Sequence, residues 1–166
     1  MTSAVDPGDG TVVGVTLGHP DTATAEHWLA SLDPAPIHAC THLVSSPRPH
    51  VAWSLEFSGI VPAALGDSSA SAAAAHGVSG RAVIYPGVDK LVGDLTVASV
   101  LALSAIDAIE VLGGGPADRD TTLQTNNFVR PVWRDGRLIL TVMPAAGGKL
   151  VPFENRHPTP CCADHA

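Results

Sequence analysis

Two histidines and a cysteine alternate along one segment, in the order His38, Cys40 and His42. Segment 37–44 reads Ile-His-Ala-Cys-Thr-His-Leu-Val, a pattern that predicts a β-strand. Since side chains two residues apart lie on the same face of a strand, these three should point the same way. Imidazole and thiolate groups are common ligands of transition metals. The spacing therefore indicates either a site for one metal ion or a half-buried strand face with hydrogen-bonded histidines and a packed cysteine.

A second group of soft ligands lies near the carboxyl end, where Cys161 and Cys162 are adjacent and His165 follows. Vicinal thiols on a terminal segment resemble the tail of mercuric reductases, which transfers a soft metal ion. Structural zinc sites, however, prefer a spacer between their cysteines. Segment 155–166 is therefore predicted to be a Cys/His-containing tail that acts either as a satellite metal site or as a free thiol pair.

A long apolar segment carries two further candidate groups. Residues 94–112 are mostly apolar, begin with Asp94 and are followed by Gly-Gly-Gly-Pro, which predicts a helix over this range. A helix so apolar should be central and covered by other elements. Asp107 and Glu110 would be the ionisable groups on its body, and a desolvated carboxylate there could act as a general base. The alternative is that both face solvent or a subunit boundary.

Shorter elements are predicted to position these groups. A capped helix should begin near Asp21, and an alanine-rich loop or short helix should follow Gly66. The strands 37–44 and 51–57 could form a hairpin with a long loop. The remaining predicted strands are 11–17 and 81–85, followed by a three-strand antiparallel meander over 122–133, 137–143 and 149–154.

The meander contains a recognisable local pattern. Segment 125–132 reads Thr-Asn-Asn-Phe-Val-Arg-Pro-Val, and 134–138 reads Arg-Asp-Gly-Arg-Leu. This resembles the Asn-Phe-Leu-Arg-Pro strand and glycine turn of PaaI-type hotdog acyl-CoA thioesterases, over about residues 81–154. The resemblance implies an α+β fold in which an antiparallel sheet wraps a long central apolar helix. It also implies that an acyl thioester lies along the helix, close to Asp94. The family's His-Gly-Gly before the helix is missing here, since His76-Gly77 lies well upstream.

Composition narrows the classes of partner. Only nine basic residues and a net charge of −7 argue against a nucleic-acid partner. A 45% hydrophobic, 15% charged chain of 166 residues predicts one domain over 1–166 with a large core, extended by contacts in a homo-oligomer. The polar first ten residues lack a secretory pattern, the predicted helix is too acidic for a membrane span, and three cysteines suit a reducing compartment. We therefore expect a cytoplasmic protein without a membrane partner.

Two functions from different classes follow. The first is an acyl-thioester hydrolase or acyl-CoA-binding protein, with Asp107, Glu110 and Asp94 as its site and no cofactor. The second is a metal-binding protein that holds zinc, iron or copper through His38, Cys40 and His42, with Cys161, Cys162 and His165 as further ligands. A structural partner protein without chemistry is a third hypothesis, and whether the chain is an enzyme is left open among the three.

Overall fold

The computed structural model describes residues 10–65 and 67–157, which form a mostly β structure with short helices. The strands are β1 Thr11–His19, β2 His38–Val44, β3 His50–Phe57, β4 Asp67–Ser68, β5 Gly80–Ile84, β6 Asp94–Thr96, β7 Ala108–Val111, β8 Thr122–Gln124, β9 Val132–Arg134, β10 Arg137–Pro144 and β11 Leu150–Pro152. The helices are α1 Thr22–Leu29, α2 Ala70–Ala74 and α3 Val97–Leu103, with 3₁₀ turns at Val88–Lys90 and Ala146–Gly148. No helix in this described part is long and apolar enough to cross a membrane.

The described strands belong to one sheet of eleven strands. Its order is β4-β1-β3-β2-β5-β9-β10-β11-β8-β6, and β7 pairs in parallel with the middle of β10. The segment that bears on function is the antiparallel set β1-β3-β2, in which β3 is the central strand. Central strands have both edges hydrogen-bonded, so their side chains are held in a fixed register.

Two clusters of buried side chains stabilise the sheet. On one face of β1-β3-β2, helix α1 buries Ala25 and Leu29 against Val15, Trp53 and Leu55. The helix begins where Asp21 accepts a hydrogen bond from the Thr24 amide, as an N-cap residue does. The second cluster lies further along the sheet and joins α3 to strands β5, β7, β8, β10 and β11.

The predicted hotdog-like fold with a long central helix over 94–112 is wrong. The longest helix in the described residues, α1, has eight residues, and α3 ends at Leu103. The hydroxyl of Ser104 donates to the carbonyl of Val100 and accepts from the amide of Ile106, which takes the place of continued helical hydrogen bonds. Residues 108–111 then form β7 beside β10. The β-branched residues in this segment suit a strand, a preference that the apolar pattern concealed.

The meander prediction is correct in part. Strands β9, β10 and β11 are antiparallel neighbours, and Asp135-Gly136 forms the predicted tight turn with both residues at positive φ. The single strand predicted over 122–133 is wrong, because β8 ends at Gln124. Asn126 and Asn127 have φ values of 54° and 51°, a left-handed conformation that breaks strand pairing.

An ion-pair network fastens helix α1 to the sheet. Glu26 binds the Nη2 atoms of Arg81 and Arg130, each at 2.7 Å, and Arg81 also binds Glu154. Burial opposes ionisation of Glu26, but the hydrogen bonds and charges of Arg130 and Arg81 outweigh it and hold the pKa of this carboxyl below 4.5. The network thus joins residues that are far apart in the sequence.

We expect Glu26→Gln to lower the free energy of unfolding by about 2 kcal/mol at pH 7, because it leaves charged donors without their partner. A carboxyl whose pKa is depressed on folding contributes stability above its unfolded pKa, near 4.5, and loses it as the pH falls through the folded pKa. The difference between wild type and variant should therefore shrink on acidification. Urea unfolding at several pH values measures it, with Asp89→Asn, an exposed carboxylate, as control. A difference that does not change with pH would contradict this account.

Candidate metal centre

The hairpin of β2 and β3 brings a histidine and a glutamate together. In this register His38 lies directly opposite Glu56, and Cys40 lies opposite Ser54. Directly opposed residues share one face of the sheet, so these side chains lie on the face opposite to helix α1. His38, Cys40 and His42 therefore do alternate with the apolar positions of β2, as their spacing indicates.

Helix α2 covers this face and delivers a second histidine. Ser69 caps α2, and its amide donates to the carbonyl of Gly14 in β1. A side chain at Gly14 would have no room, because a Cβ atom there would lie 1.8 Å from the carbonyl oxygen of Ser69 and 2.9 Å from the nitrogen of Ala73. Glycine in the strand and alanine in the helix thus allow the two backbones to approach closely. His76, two residues beyond α2, extends over β3 as a result.

His38, Glu56 and His76 form a compact group with metal-ligand chemistry. The Oε2 atom of Glu56 lies 3.0 Å from Nε2 of His76 and 4.0 Å from Nδ1 of His38, and the three ligand atoms are all within 4.8 Å of one another. Ligands about 2.0–2.1 Å from a tetrahedral ion are about 3.3 Å apart, so only small side-chain movements separate this group from a coordination sphere. In the described residues, no other group of three histidine, cysteine or acidic side chains meets this spacing.

The surroundings of His38 favour its neutral form. Burial lowers the pKa of His38, the Glu56 carboxylate opposes this, and His76 adds to it, so the net pKa lies below 6.5. An imidazole with a lowered pKa is neutral at pH 7 and keeps the lone pair that a metal needs. The side chains of His38, Glu56 and His76 are 22%, 19% and 15% exposed, which leaves the group open to solvent on one side.

Ser54 and His42 continue the group with hydrogen bonds. The hydroxyl of Ser54, which is completely buried, lies 3.3 Å from Nδ1 of His76 and 2.8 Å from Nε2 of His42. Burial lowers the pKa of His42, and the neighbouring His76 lowers it further. A chain of contacts thus runs from His42 through Ser54 and His76 to Glu56.

The structure separates the other two members of the predicted strand triplet from the ion-binding position. Cys40 is 1% exposed, and burial raises the pKa of its thiol to about 11, although contacts with Trp133 and Ser54 oppose this. The thiolate is the ligand form of cysteine, and this burial makes it costlier to form. The sulfur of Cys40 is also not among the ligand atoms that converge within 4.8 Å. His42 directs its Nε2 atom at Ser54. The proposed tail ligands Cys161, Cys162 and His165 lie outside the described residues.

The three carboxylates considered for catalysis are apart from this group and are not buried on a helix. Asp107 is exposed, and its Oδ2 atom accepts a hydrogen bond from the amide of Leu138 at 2.6 Å. Glu110 binds Arg134 at 2.7 Å. Asp94 is in β6, where it binds Lys149. Each has a partner that explains its position without catalysis, and the desolvation expected from a central helix is missing.

Two members of the group, Glu56 and His76, were not among the residues singled out from the sequence. Glu56 is the one acidic residue in the apolar segment Val51–Phe57, which is a signal that could have been used. His76 gave no such signal, because its position depends on how α2 packs.

Comparisons with family models, curated proteins and solved structures find no match for this chain. The geometry of the site therefore carries the functional argument.

Proposed function

We propose that the chain is a metal-binding protein that holds one divalent transition-metal ion through His38, Glu56 and His76. The observation that carries the proposal is the convergence of three ligand atoms from β2, β3 and the segment after α2 within 4.8 Å. Two imidazoles and one carboxylate suit zinc, and also iron(II), because imidazole binds both ions and the carboxylate adds a hard oxygen ligand. Metal binding is thus the proposed activity of the chain, and zinc is the ion to test first.

The ligand number suggests a reactive rather than a closed site. Structural zinc sites use four protein ligands, whereas three protein ligands leave a position for water or a substrate. An ion held in this way lowers the pKa of its water and polarises carbonyl oxygens. Partial exposure of His38 gives small molecules a path to that position. The acyl-thioester hypothesis stays a prediction from the sequence resemblance, and none of the contacts of Asp94, Asp107 or Glu110 supports it.

The test is a zinc titration of chelator-treated protein in competition with a coloured zinc indicator. Because the tail thiols could also bind zinc, the titration is run on the full chain and on a Cys161→Ser, Cys162→Ser variant. We expect both proteins to bind one zinc ion per chain with the same affinity. Any second ion bound by the full chain should be absent from the variant without the tail cysteines. Iron(II) titrated without oxygen provides the comparison for metal preference.

Zinc uptake that vanishes with the tail cysteines would overturn the proposal, and so would protein that takes up no ion. Either result would leave His38, Glu56 and His76 as a polar cluster in which the His76–Glu56 hydrogen bond stabilises the contact of the segment after α2 with the sheet.

A further inference from the structure

Two further side chains, Ser54 and His42, are linked to His76 by hydrogen-bonding contacts on the side of the ring away from Glu56. Ser54 is completely buried between two imidazoles, 3.3 Å from His76 Nδ1 and 2.8 Å from His42 Nε2. A serine hydroxyl has one proton, so it can donate to one of these nitrogens while it accepts from the other. The direction of both hydrogen bonds therefore depends on which ring nitrogens of His42 and His76 carry a proton.

We propose that Ser54 and His42 are positioning residues that stabilise the Nδ1–H tautomer of His76 once an ion takes its Nε2 atom, an inference that rests on the proposed metal site. Histidine ligands generally donate their second ring N–H to a fixed acceptor, which orients the ring and raises its basicity. Here the acceptor is the Ser54 hydroxyl, and His42 Nε2 accepts the hydroxyl proton in turn. His42 thus completes the outer shell of the site although it does not reach the ion.

The tautomers follow from this direction. Without an ion, the 3.0 Å contact of His76 Nε2 with Glu56 requires the proton on Nε2, because a carboxylate only accepts. When an ion takes Nε2, that proton leaves to solvent, Nδ1 receives the Ser54 proton, and Ser54 receives the proton of His42 Nε2. His42 gains a proton from water at Nδ1. One proton leaves and one enters, so the three side chains keep their total charge.

The ring of His42 occupies space that a glycine in the neighbouring strand leaves free. Gly80 has a φ of 112°, and a Cβ atom there would lie 2.6 Å from Cε1 of the His42 ring. Glycine is therefore needed at this position both for the backbone conformation and for the space that the ring occupies. The ring also lines a surface cleft of about 340 Å³, which gives water access to it.

The test compares zinc affinity and histidine tautomers in the full chain. We expect Ser54→Ala and His42→Leu to weaken zinc binding about 10–100-fold, and His42→Gln to restore most of it, because its amide oxygen can accept the Ser54 proton. Thr125→Val is the matched control, since it removes the hydrogen bond of another completely buried hydroxyl, which donates to the Gly93 carbonyl and touches none of the proposed ligands. Nitrogen-15 NMR should show zinc moving the ring proton of both histidines to Nδ1, and in Ser54→Ala the His42 shift should be lost.

The possible failures are distinguishable. If wild-type protein takes up no ion, the metal site and its outer shell are both rejected. If the wild type binds zinc, and Ser54→Ala binds it equally well or His42 keeps its proton on Nε2, only the positioning role is rejected. A His42→Gln variant as weak as His42→Leu would also overturn it, because bulk and not hydrogen bonding would then explain the loss.

Discussion

Replacement of His76 by alanine is expected to weaken zinc binding more than about 100-fold. This should be the largest loss of zinc affinity that a single substitution causes. His76 supplies one of three protein bonds to the ion, and loss of a direct ligand should exceed the 10–100-fold cost of losing an outer-shell partner. Glu56→Gln should act similarly, since the amide keeps the shape of the side chain but loses the charge that favours a cation. The zinc competition titration measures both changes.

The control for these variants is His27→Ala, which removes an exposed histidine of helix α1. It should bind zinc as the wild type does, and far-ultraviolet circular dichroism should show that all three variants are folded. The hypothesis fails if His76→Ala and Glu56→Gln retain wild-type affinity while folded. It fails equally if His27→Ala loses zinc to the same extent, because the ion would then be bound elsewhere.

The second large effect is expected from Gly14→Ala in strand β1. The added Cβ atom would overlap the backbone of Ser69 and crowd that of Ala73, and backbone atoms of a capped helix cannot move aside cheaply. Helix α2 must therefore shift away from the sheet and carry His76 with it. We expect the free energy of unfolding to fall by about 1–3 kcal/mol and the zinc affinity to fall about as far as in His76→Ala.

Gly115→Ala is the matched control, since a Cβ atom at Gly115 would meet nothing within 4 Å. Tryptophan fluorescence, to which the buried Trp53 on the α1 side of the sheet contributes, reports whether the Gly14→Ala variant is folded when zinc is added. A folded variant with normal zinc affinity would show that His76 does not depend on the seating of α2. In that case the packing of α2 on Gly14 would not be what positions His76 at the site.

Sequence patterns predicted local elements better than their assembly. Alternation placed β2 and β3 within one residue of their actual starts, and Asp21 correctly marked the beginning of α1. The failure over 94–112 has a physical cause, because the few polar residues of a mostly apolar segment do little to distinguish period 3.6 from period 2. At the end of α3, Ser104 makes side-chain hydrogen bonds that depend on the local backbone, which the sequence pattern does not reveal.

The candidate site was half visible in the sequence. The alternation of His38, Cys40 and His42 correctly placed them on one face, and pairing Val44 with His50 fixes Glu56 as the partner of His38. That register required the loop geometry of 45–49, which the sequence alone leaves open. His76 could not be predicted, because its contribution depends on the packing of α2 on Gly14, 62 positions earlier in the chain. Long-range packing of this kind leaves no periodic signal.

The most direct test of the central claim is X-ray absorption at the zinc edge of the 166-residue protein loaded with one equivalent of zinc. We expect a first shell of nitrogen and oxygen at about 2.0–2.2 Å, with the outer scattering of two imidazole rings. Zinc bound by cysteine would instead give sulfur scattering at about 2.3 Å. A sulfur-containing shell would place the ion on Cys40 or on the tail and would contradict a site built from His38, Glu56 and His76.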